Sequence, residues 1–251
     1  MNTGGWNDRW TGLVQELFAV EVPASATEQM RSFIHELATW NTIHNLVSYR
    51  SEDELWLRHV VDSLAVLPLL RRVRDRMGRD IKIADIGAGA GFPGIPVAIC
   101  MPGVQVTLIE SVAKKGVFMN AVIQKLGLGN AVVVTERAEV LGRAPAHREQ
   151  YDVVLSRAAG EGPVILELAM PLVIVGGEFL PHKTEESLAA ADLGSIAHLL
   201  GGKFQGAVPY QLPDNPHRYA IGIFEKIASI SERYPRRTGI PEKRPLKATI
   251  S

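Results

Sequence analysis

Apolar residues change their spacing once along this chain, near position 81. Before that point they recur at three- and four-residue intervals. In "TEQMRSFIHELATWN", residues 27–41, Met30, Phe33, Ile34, Leu37 and Trp40 fall on one helical face. In "SEDELWLRHVVDSLAVLPLL", residues 51–70, Leu55, Val60, Leu64 and Leu67 continue such a stripe, and Ser51 with Glu54 spells a capping box. Pro23 and Pro68 predict boundaries or kinks. Residues 1–80 are therefore expected to form an N-terminal helical cap without strands.

From residue 81 short β-rich runs alternate with helical ones. "IKIADI" precedes a helix over 94–101, "VQVTLIE" one over 113–126, and "AVVVTE" a short segment near 139–143. "YDVVLSR" precedes a helix over 162–174, and "GGEFLPH" one over 184–200. Val- and Ile-rich runs interleaved with helices predict an α/β fold with a parallel sheet covered on both faces. "GKFQGAVPY" and "RYAIGIFEKI" follow with no long helix between them, so they are expected to pair as an antiparallel hairpin at one edge. A mostly parallel sheet ending in a reversed strand is the layout of class I methyltransferases, a Rossmann-like fold. This domain is expected over 81–228. Residues 229–251 hold Pro235, Pro241 and Pro245 with little apolar periodicity, and predict a basic tail that is extended or disordered until bound.

Composition narrows the class without choosing a function. The 251 residues are 46% hydrophobic with zero net charge, so bulk charge names no polyanionic partner. Charge is nonetheless clustered. Residues 226–251 carry seven Lys or Arg against two Glu, and "RRVRDRMGRDIK", residues 71–82, carries six against two Asp. Such clusters suit an anionic polymer or a solvated face. The single cysteine, Cys100, excludes a disulfide or a Cys-based metal site within one chain. The N-terminus lacks a signal-peptide core, and no uncharged apolar run reaches the ~20 residues a spanning helix needs. A soluble, cytoplasmic, metal-free protein without membrane contact is expected.

The chemistry concentrates in "ADIGAGAGFPGIP", residues 84–96. Gly89, Gly91 and Gly94 spell G-x-G-x-x-G, the dinucleotide fingerprint, with Glu110 about twenty residues on for ribose hydroxyls. Asp85, Gly87, Gly89 and Gly91 spell a second pattern, D-x-G-x-G-x-G. Its acid would repel a pyrophosphate but suits the cationic methionine end of S-adenosylmethionine. Glu110 at the end of the second β-rich run is placed for a ribose diol, and Ala138 and Glu139 for the edge of an adenine. Arg157 leaves the fourth run on the crevice side, and reads either as a contact to cofactor or substrate or as a surface arginine.

"WNTIHNLVS", "RHVVDSL", "DIGAGAGFPGIPVAI", "AKKGVFMNAVIQKLGL", "SRA" and "YPRRTGIPEKRPL" together resemble the bacterial 16S rRNA guanine-N7 methyltransferases, the RsmG (GidB) family, from about residue 35 to the end. The resemblance implies transfer of a methyl group from S-adenosylmethionine, leaving S-adenosylhomocysteine, to N7 of one guanine in the small-subunit decoding region. It carries cofactor contacts onto Gly87, Phe92, Glu110, Ser111, Ala138, Glu139 and Arg157. Lys183 matches a family lysine usually followed by glycine, where Thr184 stands here.

Guanine N7 has a free in-plane lone pair, so no general base is expected, and His59 reads as a packing or surface histidine. The expected partner is 16S rRNA, free or within the 30S subunit or its precursor, bound by a monomer. RNA contacts are expected from Lys114, Lys115, Arg157, Lys183, Arg218, Arg236, Arg237, Lys243 and Arg244. The competing readings are an NAD-linked oxidoreductase using G-x-G-x-x-G, a non-catalytic ribosome-assembly factor, and a small-molecule or protein methyltransferase.

Overall fold

A computed structural model describes residues 6–157, 160–189 and 192–247. The cap opens with α1 (Trp6–Phe18) and α2 (Ala24–His44), and α2 buries Met30, Phe33, Ile34 and Leu37 as the spacing predicts. A continuous helical run follows: α3 (Glu52–Leu55), a wider π turn over Trp56–Val61, and α4 (Asp62–Leu64). The Ser51 hydroxyl accepts the Glu54 N–H at 3.2 Å, but the Glu54 carboxylate accepts from Arg50 N–H at 2.7 Å, so the capping box closes one residue early. α5 (Leu67–Met77) starts with Pro68 in its first turn and ends at the left-handed Gly78.

The α/β domain runs β1 (Lys82–Ile86), α6 (Gly94–Cys100), β2 (Gln105–Ile109), α7 (Ala113–Leu126), β3 (Ala131–Val134), α8 (Ala138–Leu141) and β4 (Tyr151–Arg157). It continues through α9 (Gly162–Ala169), β5 (Val173–Thr184), α10 (Glu185–Ala189), α11 (Leu193–Leu199), β6 (Gly202–Gln211) and β7 (Arg218–Lys226). The sheet order is β3-β2-β1-β4-β5-β7-β6. The pairs from β3 through β5 are parallel, and β7 is antiparallel to both neighbours. This is the fold class that the sequence predicts, edge hairpin included. The order reverses between β1 and β4, which opens a crevice beyond their C-terminal ends.

Successive strand residues feed opposite layers, the period-two rule at work. Ile83, Leu108, Val153, Leu155, Leu180 and Ile221 face the cap, α6 and α7. Ala84, Ile86, Val154, Phe179 and Phe224 face α9 and α11 on the other side. The cap thus shares one continuous core with the sheet. Two boundaries differ from expectation. The helix expected over 162–174 stops at Ala169, because the β-branched Val173-Ile174-Val175 run joins β5, and a register shift beside Tyr151 and Val153 absorbs the extra length. The helix expected over 184–200 is two short helices.

Both basic clusters need correction. In 71–82, Arg72 and Arg76 pair with the buried Glu178, Arg79 pairs with the buried Asp152, and Arg71 donates to the Glu21 carbonyl. These charges brace the sheet. The segment expected as an extended or disordered tail is folded over 229–247; positions 248–251 lie outside the described residues. Ile230 and Tyr234 are buried in the second core, and Arg148 donates to the carbonyls of Gly142, Ile230 and Tyr234. Arg236 makes a two-pronged ion pair with Glu167, whose side chain is 0% exposed. It is a structural strut; a buried carboxylate needs that partner more than a phosphate does. α12 (Ile240–Lys243) closes the strap.

Arg236→Ala strands Glu167 as an unpaired buried charge. It is expected to cost about 3–5 kcal/mol in urea denaturation and to open 229–247 to proteolysis, while Arg237→Ala leaves both measurements unchanged.

Candidate active site

β1 delivers the chain into the glycine loop at the sheet's switch point. The turn is shaped by contacts that exclude side chains. A Cβ on Gly94 would lie 2.2 Å from Leu108 Cδ2 and 2.9 Å from Asp85 Oδ2. Gly91 combines a φ of +93° with a Cβ position 2.3 Å from Ile95 Cδ1. Gly87 and Ala88 N–H groups both donate to the Ile109 carbonyl, at 2.9 and 3.1 Å, which pins the loop across the end of β2.

Asp85 sits beneath this loop, fully buried, and forms no part of the cleft wall. Its Oδ2 accepts the Gly94 N–H at 2.8 Å, and its Oδ1 has no hydrogen-bond partner. Burial raises its carboxyl to about 7, against the opposing pull of the Gly94 N–H and Arg157. Asp85 is expected to meet a cofactor's cationic end directly or through water; here it lies off the cleft wall and fastens the turn from behind.

Glu110 follows β2 and does reach the crevice. Its two carboxylate oxygens accept N–H groups from Gly89 and Val112, each at 2.9 Å, so its position is fixed by backbone on both sides. A cleft of about 570 Å³ opens in front of it. Gly87, Glu110, Ser111, Ala138 and Glu139 stand on the wall together, delivered by the loops that follow β1, β2 and β3. Gly89 and Gly91 shape the loop behind. Sequence reasoning missed the remaining walls. Val164, Ile165 and Leu168 of α9 supply an apolar side, and Pro241, Glu242 and Pro245 of the strap supply another. Glu139 Oε1 accepts the Gly239 N–H at 3.0 Å, so the strap is clipped to α8 at the cleft. The proline spacing of 241 and 245 was the available signal, and it reads equally as disorder.

Phe92 and Arg157 are not on this cleft. Phe92 is buried against Phe33 and His59, with centroids 5.1 Å away in each case, because its loop faces the cap. The cofactor contact expected of it gives way to a packing role. The Arg157 guanidinium lies 5.3 Å over the Phe92 ring, and donates to the Arg58 carbonyl at 2.7 Å, Asp62 Oδ2 at 3.0 Å and His59 Nδ1 at 2.9 Å. Asp62 Oδ1 accepts the Tyr210 hydroxyl at 2.6 Å.

Arg58, His59, Asp62, Arg157 and Tyr210 line a second cavity of about 400 Å³, together with His182, Lys183, Thr184 and Tyr219. Tyr210 and Tyr219 stack at 5.7 Å on the edge hairpin. Burial, with Arg157 adding to it, holds His59 at about 4, and burial holds His182 at about 4, so both rings are neutral at neutral pH. His59 and Asp62, three apart in "RHVVDSL", were the readable signal for this cavity: two polar groups on one face of an apolar helix. Lys183 spans the two cavities. It lines the second, and its Nζ donates to the carbonyl of Gly160, which lines the first.

The other expected RNA contacts are dispersed. Lys114 donates to the His44 carbonyl at 3.0 Å at the cap edge, and Lys115 is half-buried beside it. Arg218 pairs with Glu185 at 2.8 Å, and Arg237, Lys243 and Arg244 are exposed on the strap.

The protein-family model GidB, described as rRNA small subunit methyltransferase G, matches residues 26–210. A protein named ribosomal RNA small subunit methyltransferase G from Carboxydothermus hydrogenoformans is 38% identical over 232 residues, 91% of this chain and 95% of its own. Its namesake from Roseiflexus castenholzii is 40% identical over 222 residues, 87% and 91% of the two chains. Among solved structures, a mutant 16S rRNA (adenine(1408)-N(1))-methyltransferase with cosubstrate SAM from Catenulisporales acidiphilia superposes with a TM-score of 0.50 at 13% identity, covering 65% of this chain and 92% of that one. It shares the fold.

Phe92→Ala is expected to cost about 3–5 kcal/mol of stability in chemical denaturation, a larger change than its effect on ligand affinity measured under folded conditions. Asp85 has a folded-state pKa raised above its unfolded value, so its contribution is fully present below about 4 and is lost as pH rises through about 7. Paired urea melts of wild type and Asp85→Asn at pH 5 and pH 8 should therefore show the stability difference moving toward the variant at pH 8, by more than about 1 kcal/mol.

Proposed function

The chain belongs to the GidB family, and we infer that it transfers a methyl group from S-adenosylmethionine to a guanine N7 of small-subunit rRNA. The observation that carries this reading is a pair of cavities bridged by the Lys183–Gly160 hydrogen bond, one suited to the cofactor and one to an acceptor base.

The first cleft fits the cofactor by its donor set. Glu110, immobilised by two N–H groups, is placed for a ribose diol, and Gly87 brings a wall without a side chain to the turn. Ile86, Ile109 and Ile165 offer the apolar surfaces an adenine ring needs, beside the polar Glu139. Bound there, S-adenosylmethionine supplies an electrophilic methyl group and is left as S-adenosylhomocysteine. The residues of the chain then have to position. Guanine N7 carries a lone pair and no proton, so no side chain has to remove one, and the two neutral histidines are compatible with that. Arg157, held on three acceptors, and the Tyr210–Tyr219 stack are rigid walls against which a base is oriented.

An unpaired or looped guanine fits such a pocket better than one held in a duplex. Exposed Lys114, Arg237, Lys243 and Arg244, with Lys115 and Arg218, are the proposed phosphate contacts, and Arg236 is withdrawn from that set by its ion pair with Glu167. Both cavities are lined by described residues of one chain, which supports action as a monomer. An rRNA substrate, free or in the 30S subunit or its precursor, supports a cytoplasmic location. No described helix is long and apolar enough to cross a membrane.

Incubation with methyl-labelled S-adenosylmethionine and undermodified 16S rRNA or 30S subunits should label N7 of one guanine, mapped by chemical cleavage; label at another atom or in no RNA overturns the reading. Glu110→Gln should weaken S-adenosylmethionine binding by about tenfold in calorimetry, with NADH failing to bind either protein.

A further inference from the structure

Lys183 is the one cation at the second cavity whose charge the described residues leave unbalanced. It forms no ion pair among them, whereas Arg157 pairs with Asp62 and Arg58 with Glu54. One N–H of its ammonium goes to the Gly160 carbonyl. An ammonium has three N–H donors, so two remain for the cavity it lines. Burial lowers its pKa, with only Glu161 opposing, so the group is partly desolvated without a paired anion. The two free donors are open to a ligand acceptor that enters the cavity. Arg157 is less suited to that role, because its charge is paired with Asp62 and three of its five N–H donors hold Arg58, Asp62 and His59.

The position selects an acceptor atom. The imidazole-side edge of guanine presents N7 and O6 side by side, both acceptors; adenine presents N7 beside an amino donor. An ammonium at the junction of the two cavities can take O6 and leave the adjacent N7 turned toward the first cleft. The same ammonium meets an adenine amino group donor to donor. We propose that Lys183 is the specificity-determining residue that reads O6 of the acceptor guanine and thereby aims N7 at the cofactor. This rests on the function proposed above. The Tyr210–Tyr219 stack and the neutral His182 wall complete the pocket, and its other two cations, Arg58 and Arg157, are already paired with Glu54 and Asp62.

The test uses the full chain and RNA in which the mapped acceptor guanine is replaced by 2-aminopurine, which keeps N7 and lacks the 6-oxo group. Wild type should lose about tenfold or more in kcat/KM on that RNA, and Lys183→Met should lose as much on the natural RNA. The two losses should not add: Lys183→Met should treat both RNAs alike. Lys183→Arg, which keeps a cation, should regain part of the discrimination. S-adenosylmethionine affinity and thermal melting of Lys183→Met should match wild type. Additive losses overturn the proposal, and so does a fall in cofactor affinity that accounts for the loss in kcat/KM, which would assign Lys183 to the first cleft. Absence of any N7-methylguanine from wild type overturns the parent function and this inference with it.

Discussion

The guanidinium of Arg157 ties together segments that lie far apart in the chain. It reaches from the end of β4 to the π turn of the cap through the Arg58 carbonyl and His59, to the start of α4 through Asp62, and to the glycine loop through the Phe92 ring. Asp62 extends the same network to Tyr210 on the edge hairpin. With its side chain only 15% exposed, the cation works in a medium of low effective dielectric, where each contact is stronger than in water and each missing partner more costly. The charge is compensated: one cation meets one carboxylate, and two neutral acceptors hold two further donors. The cap, the loop and the hairpin are therefore set relative to β4 by one side chain, and the second cavity is the space they leave.

The two ends of the chain play parallel parts. The N-terminal cap builds the wall of the second cavity through Arg58, His59 and Asp62, and the C-terminal strap builds a wall of the first through Pro241, Glu242 and Pro245. Each is fastened by a buried acid and an arginine: Asp62 with Arg157 at one end, Glu167 with Arg236 at the other. The sheet core between them supplies the ends of β1 and β2 to the first cavity and of β4 and β5 to the second. Segments that a domain count treats as appendages are part of the site.

Strand alternation, the glycine turn and the helical stripes were legible because each is local. Period and turn chemistry act within a few residues, and they place β1 to β7, Gly87, Glu110, Ala138 and Glu139 where they stand. The strap was not legible, because its stability comes from Glu167 and Arg148, residues about seventy and eighty positions earlier. Proline and basic content in 229–251 describe a chain that gains little from its own sequence, and that is equally true of a disordered tail and of a strap held by a distant core. The fate of Phe92 was hidden for the same reason: its glycine loop has two faces, and only the cap, through Phe33 and His59, decides which one takes the ring.

Charge is also sorted between the cavities in a way that composition conceals, since the chain as a whole is neutral. Glu110, Glu136, Glu139, Glu161 and Glu242 line the first cleft against Arg137, whereas Arg58, Arg157 and Lys183 line the second against Asp62. An acidic cleft favours a cationic ligand and a basic cavity favours a polyanion, so each proposed substrate is drawn to its own side. Methyl transfer moves one positive charge from the first ligand to the second. After it, the acidic cleft holds a ligand that has lost its sulfonium charge, and the basic cavity holds a base that has gained one. The same fixed charges that favour the substrates therefore suit the products less well.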